Sequence, residues 1–332
     1  MRAGHVRHHA EGTIFVVLTL IGWSSAPLFL KYLVPYVDAW TANGWRYAVA
    51  AALWAPLLIT LHLRGALPGR LWRAAIAPSV FNVAGQVAYA LAPYYIDPGL
   101  MAFLLRFQMV FVTAGAYFLF PDERPVIRSA PFWIGLVIVF LGSAGTIFGG
   151  HEVPRGGTAL GITLAVVSGA LFGGYGLAVR RNMAGVRSSV AFAVISQVSA
   201  LMLLVLMLCV SPQRGGDPFH LDWTPFLMLI VSALIGIALA HVFFYAAIAR
   251  LGVAISGGVI LLMPFATALA SYFLFDERLT AAQWISGTAA VIGAALILAA
   301  RAHLAAGEVP RLKSGKLDDG LSPPPPDPEP RL

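Results

Sequence analysis

Read for polarity alone, the chain is a series of long apolar runs cut by short polar breaks. Ten runs stand out, at 13–31, 41–61, 74–93, 99–120, 131–149, 157–179, 189–210, 225–248, 252–275 and 281–300. Each is near the ~20 apolar residues that a helix needs to cross about 30 Å of hydrocarbon. Barrel strands would show short alternating segments, whereas unbroken runs satisfy their backbone groups in lipid only as helices. The prediction is an all-α integral membrane protein with ten transmembrane helices. Composition agrees, since 59% of the 332 residues are hydrophobic and 11% charged, against about 25% charged in soluble domains. Ser24-Ser25-Ala26 loosely resembles a signal-peptidase site, but Pro27 follows directly, and the first helix is read as retained.

Basic residues set the expected orientation. Of the 22 Lys and Arg, Arg46 and Arg106 fall inside runs, and Lys31, Arg155, Arg214 and Arg278 lie on one side. The remaining 16 lie on the other side, with the N-terminus. The positive-inside rule then predicts a multi-pass protein of the cell membrane with both termini cytoplasmic. That placement accounts for the net charge of +7 without a nucleic-acid partner. The single cysteine, Cys209, excludes an internal disulfide framework and cysteine-ligated zinc. No metal or cofactor is expected.

The chain also repeats itself. Tyr117-Phe118-Leu119-Phe120 is followed by Pro121-Asp122-Glu123-Arg124, and Tyr272-Phe273-Leu274-Phe275 by Asp276-Glu277-Arg278. Trp133-Ile134 and Gly142 in the next run mirror Trp284-Ile285 and Gly293. Each half therefore holds five runs, and an odd number turns the second half over in the membrane. The expected organisation is a cytoplasmic N-terminus over 1–12, repeats over 13–149 and 157–300, and a disordered Pro-rich cytoplasmic tail over 303–332. Inverted repeats recur in secondary transporters, with the substrate site at the repeat interface near the midplane.

These residues, together with Pro264 and Trp45-Arg46-Tyr47, give the chain a pattern that resembles the EamA family of the drug/metabolite transporter superfamily. The resemblance covers roughly residues 13–300. It implies a basket of ten helices around a central cavity, and metabolite or amino-acid export as the usual activity. The first half departs from the pattern: Met109 stands where the second half has Pro264, and Pro121 is inserted before Asp122-Glu123.

Polar groups inside spans are the functional candidates, because a charge at the bilayer centre costs roughly 2.5–3.5 kcal/mol or more. Arg106 lies about 10 Å into the fourth run at 1.5 Å per residue. At 100° per residue it shares a stripe of small and polar positions with Gly99, Ala102, Thr113 and Tyr117. The expectation is a cavity-facing arginine; the alternatives are one that snorkels to the interface or one that caps backbone carbonyls in a structural role. Ser79, Asn82, Gln86, Tyr89 and Pro93 form a second stripe, in the third run, suited either to a site or to helix–helix hydrogen bonds. Gln86 corresponds by the repeat to His241, the one histidine well inside a span, which either titrates in a transport cycle or, as buried histidines more often do, serves as a satisfied structural group. Trp23 with Thr19 and Ser24, and Phe172 with Tyr175, are candidate aromatic walls. The substrate-binding set is thus Arg106, Gln86, Asn82, His241, Trp23 and Tyr89.

Other features are assigned to packing. Arg46, about 8 Å from the outer boundary, is read as an interfacial anchor. Gly169-x-x-x-Gly173 and Ser232-x-x-x-Gly236-x-x-x-Ala240 are small-residue rows for close helix contact. Glu123 and Glu277, at span ends, are expected to cap the following helix or close the loop.

No Asp or Glu lies in the middle of any run, which argues against a proton-driven exporter of cationic drugs. The two intramembrane arginines favour a small-molecule substrate bearing a carboxylate or phosphate. The expectation is a secondary transporter and not an enzyme, since an intramembrane enzyme should show paired catalytic groups and none is present within the runs. A polytopic receptor or sensor without transport activity stays open as the alternative. The expected partners are the substrate and the lipid bilayer, and a homodimer stays open.

Overall fold

The computed structural model describes residues 2–92, 95–96, 98–150, 158–275 and 278–318. Every regular element among them is helical. The order is α1 (Arg2–Leu33), α2 (Ala39–Leu63), α3 (Arg70–Leu91), α4 (Pro98–Leu105) and α5 (Gln108–Leu119). After a 3₁₀ turn at Pro121–Glu123 come α6 (Arg124–Ile127), α7 (Ala130–Phe148), α8 (Ala159–Asn182) and α9 (Ser188–Val210). Then α10 (Trp223–Ala233) passes through a π-helical turn (Leu234–Leu239) into α11 (Ala240–Leu251). The chain closes with α12 (Val253–Ile260), α13 (Met263–Phe275) and α14 (Ala281–Asp318). Among the described residues, eight helices are long and apolar enough to cross a membrane. They become nine when Phe103–Leu119 and Pro121–Ile127, bent by 114°, are taken as one span.

Two predicted runs are not single helices. The fourth breaks at Arg106–Phe107 between α4 and α5, and the ninth at Leu261–Leu262 between α12 and α13. Aligned on the Tyr-Phe-Leu-Phe motif, these breaks fall at equivalent positions. Pro264 accounts for the second, because it has no N–H to donate and its ring crowds the preceding turn. The first needs no proline: the amides of Arg106 and Phe107 bond the carbonyls of Phe103 and Leu104, tightening that turn to 3₁₀ form. At the C-terminal end, α14 continues to Asp318, past position 303 where the tail was expected to begin. Pro323–Pro326 lie outside the described residues.

Glycines set how closely the helices approach. A Cβ on Gly135 of α7 would lie 2.7 Å from the Gly293 carbonyl oxygen of α14, and one on Gly293 would lie 2.7 Å from that of Gly135. Gly142 is as tight, 2.5 Å from the Ser286 carbonyl oxygen. Gly85 of α3 faces the Phe172 ring of α8, and Gly22 of α1 faces Ala240 of α11. Exchanging the halves maps α7–α14 onto itself and α3–α8 onto α11–α1. With no hydrophobic drive between helices in lipid, contact of this kind supplies much of their association.

Outside the spans, Asp38 ties the two halves together. Its carboxylate caps α2, accepting the backbone N–H groups of Trp40 (2.8 Å) and Thr41 (3.1 Å). It also accepts the hydroxyls of Thr41 (2.6 Å) and Ser211 (2.9 Å), the latter just beyond α9. Burial pushes this carboxyl up, but the bonds from Thr41, Ser211 and Trp40 together outweigh it and hold it below the ordinary range. A carboxyl lowered by folding stabilises above its unfolded pKa of about 3.9 and loses that contribution as pH falls through its folded value. Melting of the detergent-solubilised chain should therefore weaken on acidification below about pH 4. Asp38→Ala should cost about 1 kcal/mol at neutral pH and flatten that acid limb.

Candidate functional site

The two broken spans meet at the centre of the molecule, where a cavity of about 380 Å³ opens between the halves. That volume lies within the ~300–1,000 Å³ range of small-molecule pockets. Trp23 of α1, Asn82, Gln86 and Tyr89 of α3, Arg106 at the first break, and His241 of α11 all line it. The structure thus brings together all six candidates. Phe172 and Tyr175 of α8 line it too, as do Gln108 and Met263, the first residues of α5 and α13.

Arg46 lies elsewhere than expected. It lines the same cavity and is only 3% exposed, so it does not reach the interface as an anchor. The reason is clearance. A Cβ on Gly236 would lie 3.1 Å from an Arg46 Nη, so the absence of a side chain there makes room for the guanidinium. The Gly236 row, assigned to packing, is therefore also what admits Arg46. The buried Nε of Arg46 has no hydrogen-bond partner among the described residues. Arg106 is 8% exposed. Tyr89 lies within Coulombic reach of both guanidinium groups. No Asp or Glu is among the described lining residues. Each helix break brings one helix C-terminus and one N-terminus to the cavity, so their opposite dipole ends largely cancel. The arginines decide the sign of the field.

The stripe predicted along the fourth run divides at the break. Arg106 borders both the cavity and a groove between α5 and α7, whereas Thr113 and Tyr117 line the groove alone. A single helical wheel does not extend across Arg106–Phe107. The side chains of Gly99 and Ala102 lie outside the described residues.

The third-run stripe serves both of its predicted purposes. Tyr47 donates its hydroxyl to Asn82 Oδ1 (3.0 Å), Asn82 Nδ2 donates to Ser199 (3.3 Å), and Gln86 Nε2 donates to the Tyr47 oxygen (3.4 Å). This network fixes the amides while their helix face borders the cavity. Ser79 instead bonds the Ile195 carbonyl (3.3 Å), away from the cavity. Pro93 lies outside the described residues.

His241 sits among aromatic rings: Trp23 and Phe192 at 5.2 Å, Tyr175 at 6.0 Å and Tyr47 at 6.4 Å between centroids. Its Nδ1 lies 3.0 Å from the Ile237 carbonyl oxygen, within the π turn. A carbonyl only accepts, so Nδ1 carries the hydrogen and Nε2 is left as the second polar position of the ring. Trp23 meets both His241 and Phe244 (4.8 Å), closing one wall.

The backbone at the first break is held by the other glycine row. A Cβ on Gly169 would lie 3.1 Å from the Leu105 carbonyl oxygen, and one on Gly173 would lie 3.2 Å from that of Gln108. On one side of the cavity the halves are clasped. The Glu123 carboxylate, 2% exposed, accepts the N–H groups of Val253 (2.9 Å) and Ala254 (2.8 Å) at the start of α12, and pairs with Arg180 of α8. Arg180 also pairs with Asp122. Gly252 adopts φ +92° there, and a Cβ would lie 2.8 Å from Arg180 Nη1 and 2.9 Å from the Glu123 carboxyl carbon. Glu123 thus caps a helix of the other half rather than the one that follows it. Glu277 lies outside the described residues.

No curated protein matches the sequence. One solved crystal structure superposes with a TM-score of 0.71 over 89% of this chain and 99% of its own, at 17% identity, a likeness of fold alone. The family model of the EamA-like transporter family matches residues 10–148 and 159–299, once for each half. A multi-pass, all-helical chain with both of its halves matched in this way belongs to the EamA-like transporter family.

Proposed function

We propose that the protein is a secondary transporter that moves a small, carboxylate-bearing metabolite by alternating access around the central cavity. Two buried arginines, Arg46 and Arg106, on one cavity whose described lining holds no carboxylate carry this reading. A cationic substrate would meet repulsion there, whereas an anion offsets charge whose desolvation has already been incurred. Asn82, Gln86 and His241 supply hydrogen-bonding groups, and Trp23 and Tyr89 apolar walls, for the rest of the molecule.

Ten spanning helices arranged as two inverted five-helix repeats fit this reading. The exchange of α3–α8 with α11–α1 and the equivalent helix breaks support it, since broken helices at a repeat interface are the usual site of transport. The excess of Arg and Lys on the side of the N-terminus supports a cell-membrane protein with both termini cytoplasmic. Export is the direction that the family resemblance favours.

The test is a thermal-shift screen of the purified full chain against carboxylates, phosphate esters and organic cations, followed by flux of each hit in proteoliposomes. Anions should stabilise the chain and cross the membrane in loaded vesicles, while cations should do neither. Stabilisation by cations alone would overturn the charge assignment. Clear ligand stabilisation without flux would overturn transport in favour of a receptor.

A further inference from the structure

Beside the central cavity, and sharing Arg106 with it, a groove of about 690 Å³ opens between α5 and α7 on the outer surface of the bundle. Its walls are apolar: Val110 is 60% exposed, Phe118 73% and Leu141 63%. From Arg106 to Phe118 it follows α5 for about 18 Å at 1.5 Å per residue, close to one leaflet of a ~30 Å hydrocarbon core. The two halves differ here. At the position equivalent to Val110 the second half has Phe265, which is 8% exposed and packs its ring onto Gly287 of α14. The smaller valine leaves the α5–α7 space open.

One end of the groove is charged. The guanidinium carbons of Arg124 and Arg128 lie 5.6 and 5.3 Å from the Tyr117 ring centroid. Arg124 donates to the Tyr117 carbonyl (2.8 Å), and Arg128 donates to the Tyr117 hydroxyl. Among the described residues neither has a carboxylate partner, because the nearby Asp122 and Glu123 are taken by Arg180. Two forked cations at the end of a leaflet-long apolar groove match a headgroup phosphate joined to an acyl chain. The repeat-related segment offers only Arg278, with Leu279 and Thr280 following.

We propose that this groove binds one anionic glycerophospholipid, its phosphate held by Arg124 and Arg128 and an acyl chain laid along α5 toward Arg106. Net negative charge in the headgroup is the selective feature, since a choline cation would be repelled by the same arginines.

The experiment is native mass spectrometry of the delipidated full chain titrated with phosphatidylglycerol or phosphatidylcholine of identical chains. One phosphatidylglycerol adduct should form first and resist collisional activation longer than any phosphatidylcholine adduct. Arg124→Gln and Arg128→Gln should each weaken it about fivefold. Val110→Phe, which gives the groove the side chain of the other half, should remove the adduct with both arginines intact. Equal binding of the two lipids would overturn the proposal, as would wild-type retention of phosphatidylglycerol in the arginine variants. Those substitutions lie at the surface end of the groove, so they keep the test decisive if Val110→Phe fails to fold.

Discussion

Arg46→Met is expected to move two measurements in opposite directions. The melting temperature of the ligand-free protein should rise, because a buried guanidinium whose Nε has no partner is replaced by an apolar chain of similar length. Affinity for an anionic ligand should fall about 30-fold or more, equivalent to ~2 kcal/mol for loss of a buried charged contact. A purely structural arginine would lower stability and leave the affinity alone. Arg106→Ala should cut binding and flux by a similar factor, and Arg106→Lys should recover part of it, since lysine keeps the charge but not the forked geometry. If Arg106→Ala binds and transports as wild type while still inserting, the anion site is wrongly placed.

The second large effect is expected at Gly293. A methyl group there meets the Gly135 carbonyl oxygen and the Val139 backbone nitrogen, each at 2.7 Å, so α7 and α14 must separate. Overpacking of this kind costs about 1–3 kcal/mol, read as loss of folded yield or melting temperature in detergent. Gly69→Ala is the control, because nothing lies within 4 Å of a Cβ there and its φ is −59°. Gly135→Ala with Gly293→Ala should be markedly non-additive, since one displacement of the helices relieves both clashes. A Gly293→Ala variant as stable as the Gly69→Ala control would show that the close approach of α7 and α14 contributes little.

Much of this was legible in the residues, and the parts that were not share a cause. Apolar run length located the spans because the hydrocarbon thickness is fixed. Asn82, Gln86 and Tyr89 were found on the cavity because α3 is unbroken from Arg70 to Leu91, so its 100° wheel holds. Arg46 was misassigned because depth alone cannot tell a snorkelling side chain from one turned inward; the deciding residue, Gly236, is on a different helix. The break at Arg106 has no proline to announce it, so a single wheel drawn through it does not reveal that Thr113 and Tyr117 border the groove and not the cavity. The pairing of Glu123 with α12 is a tertiary contact that no local capping pattern encodes.

The π turn at Leu234–Leu239 works as a phase shift in the wheel. Gly236 and His241 are five residues apart, which on a regular α-helix would set them about 140° around the axis at 100° per residue. Both nevertheless line the cavity. Within the turn the Ala240 N–H bonds back to the Ile235 carbonyl, five residues earlier, so one residue is absorbed without advancing the face. The same extra residue that leaves the Ile237 carbonyl beside the imidazole brings the clearance for Arg46 and the histidine onto one wall. Cation and imidazole thus owe their meeting to a backbone irregularity, and to no side chain of their own.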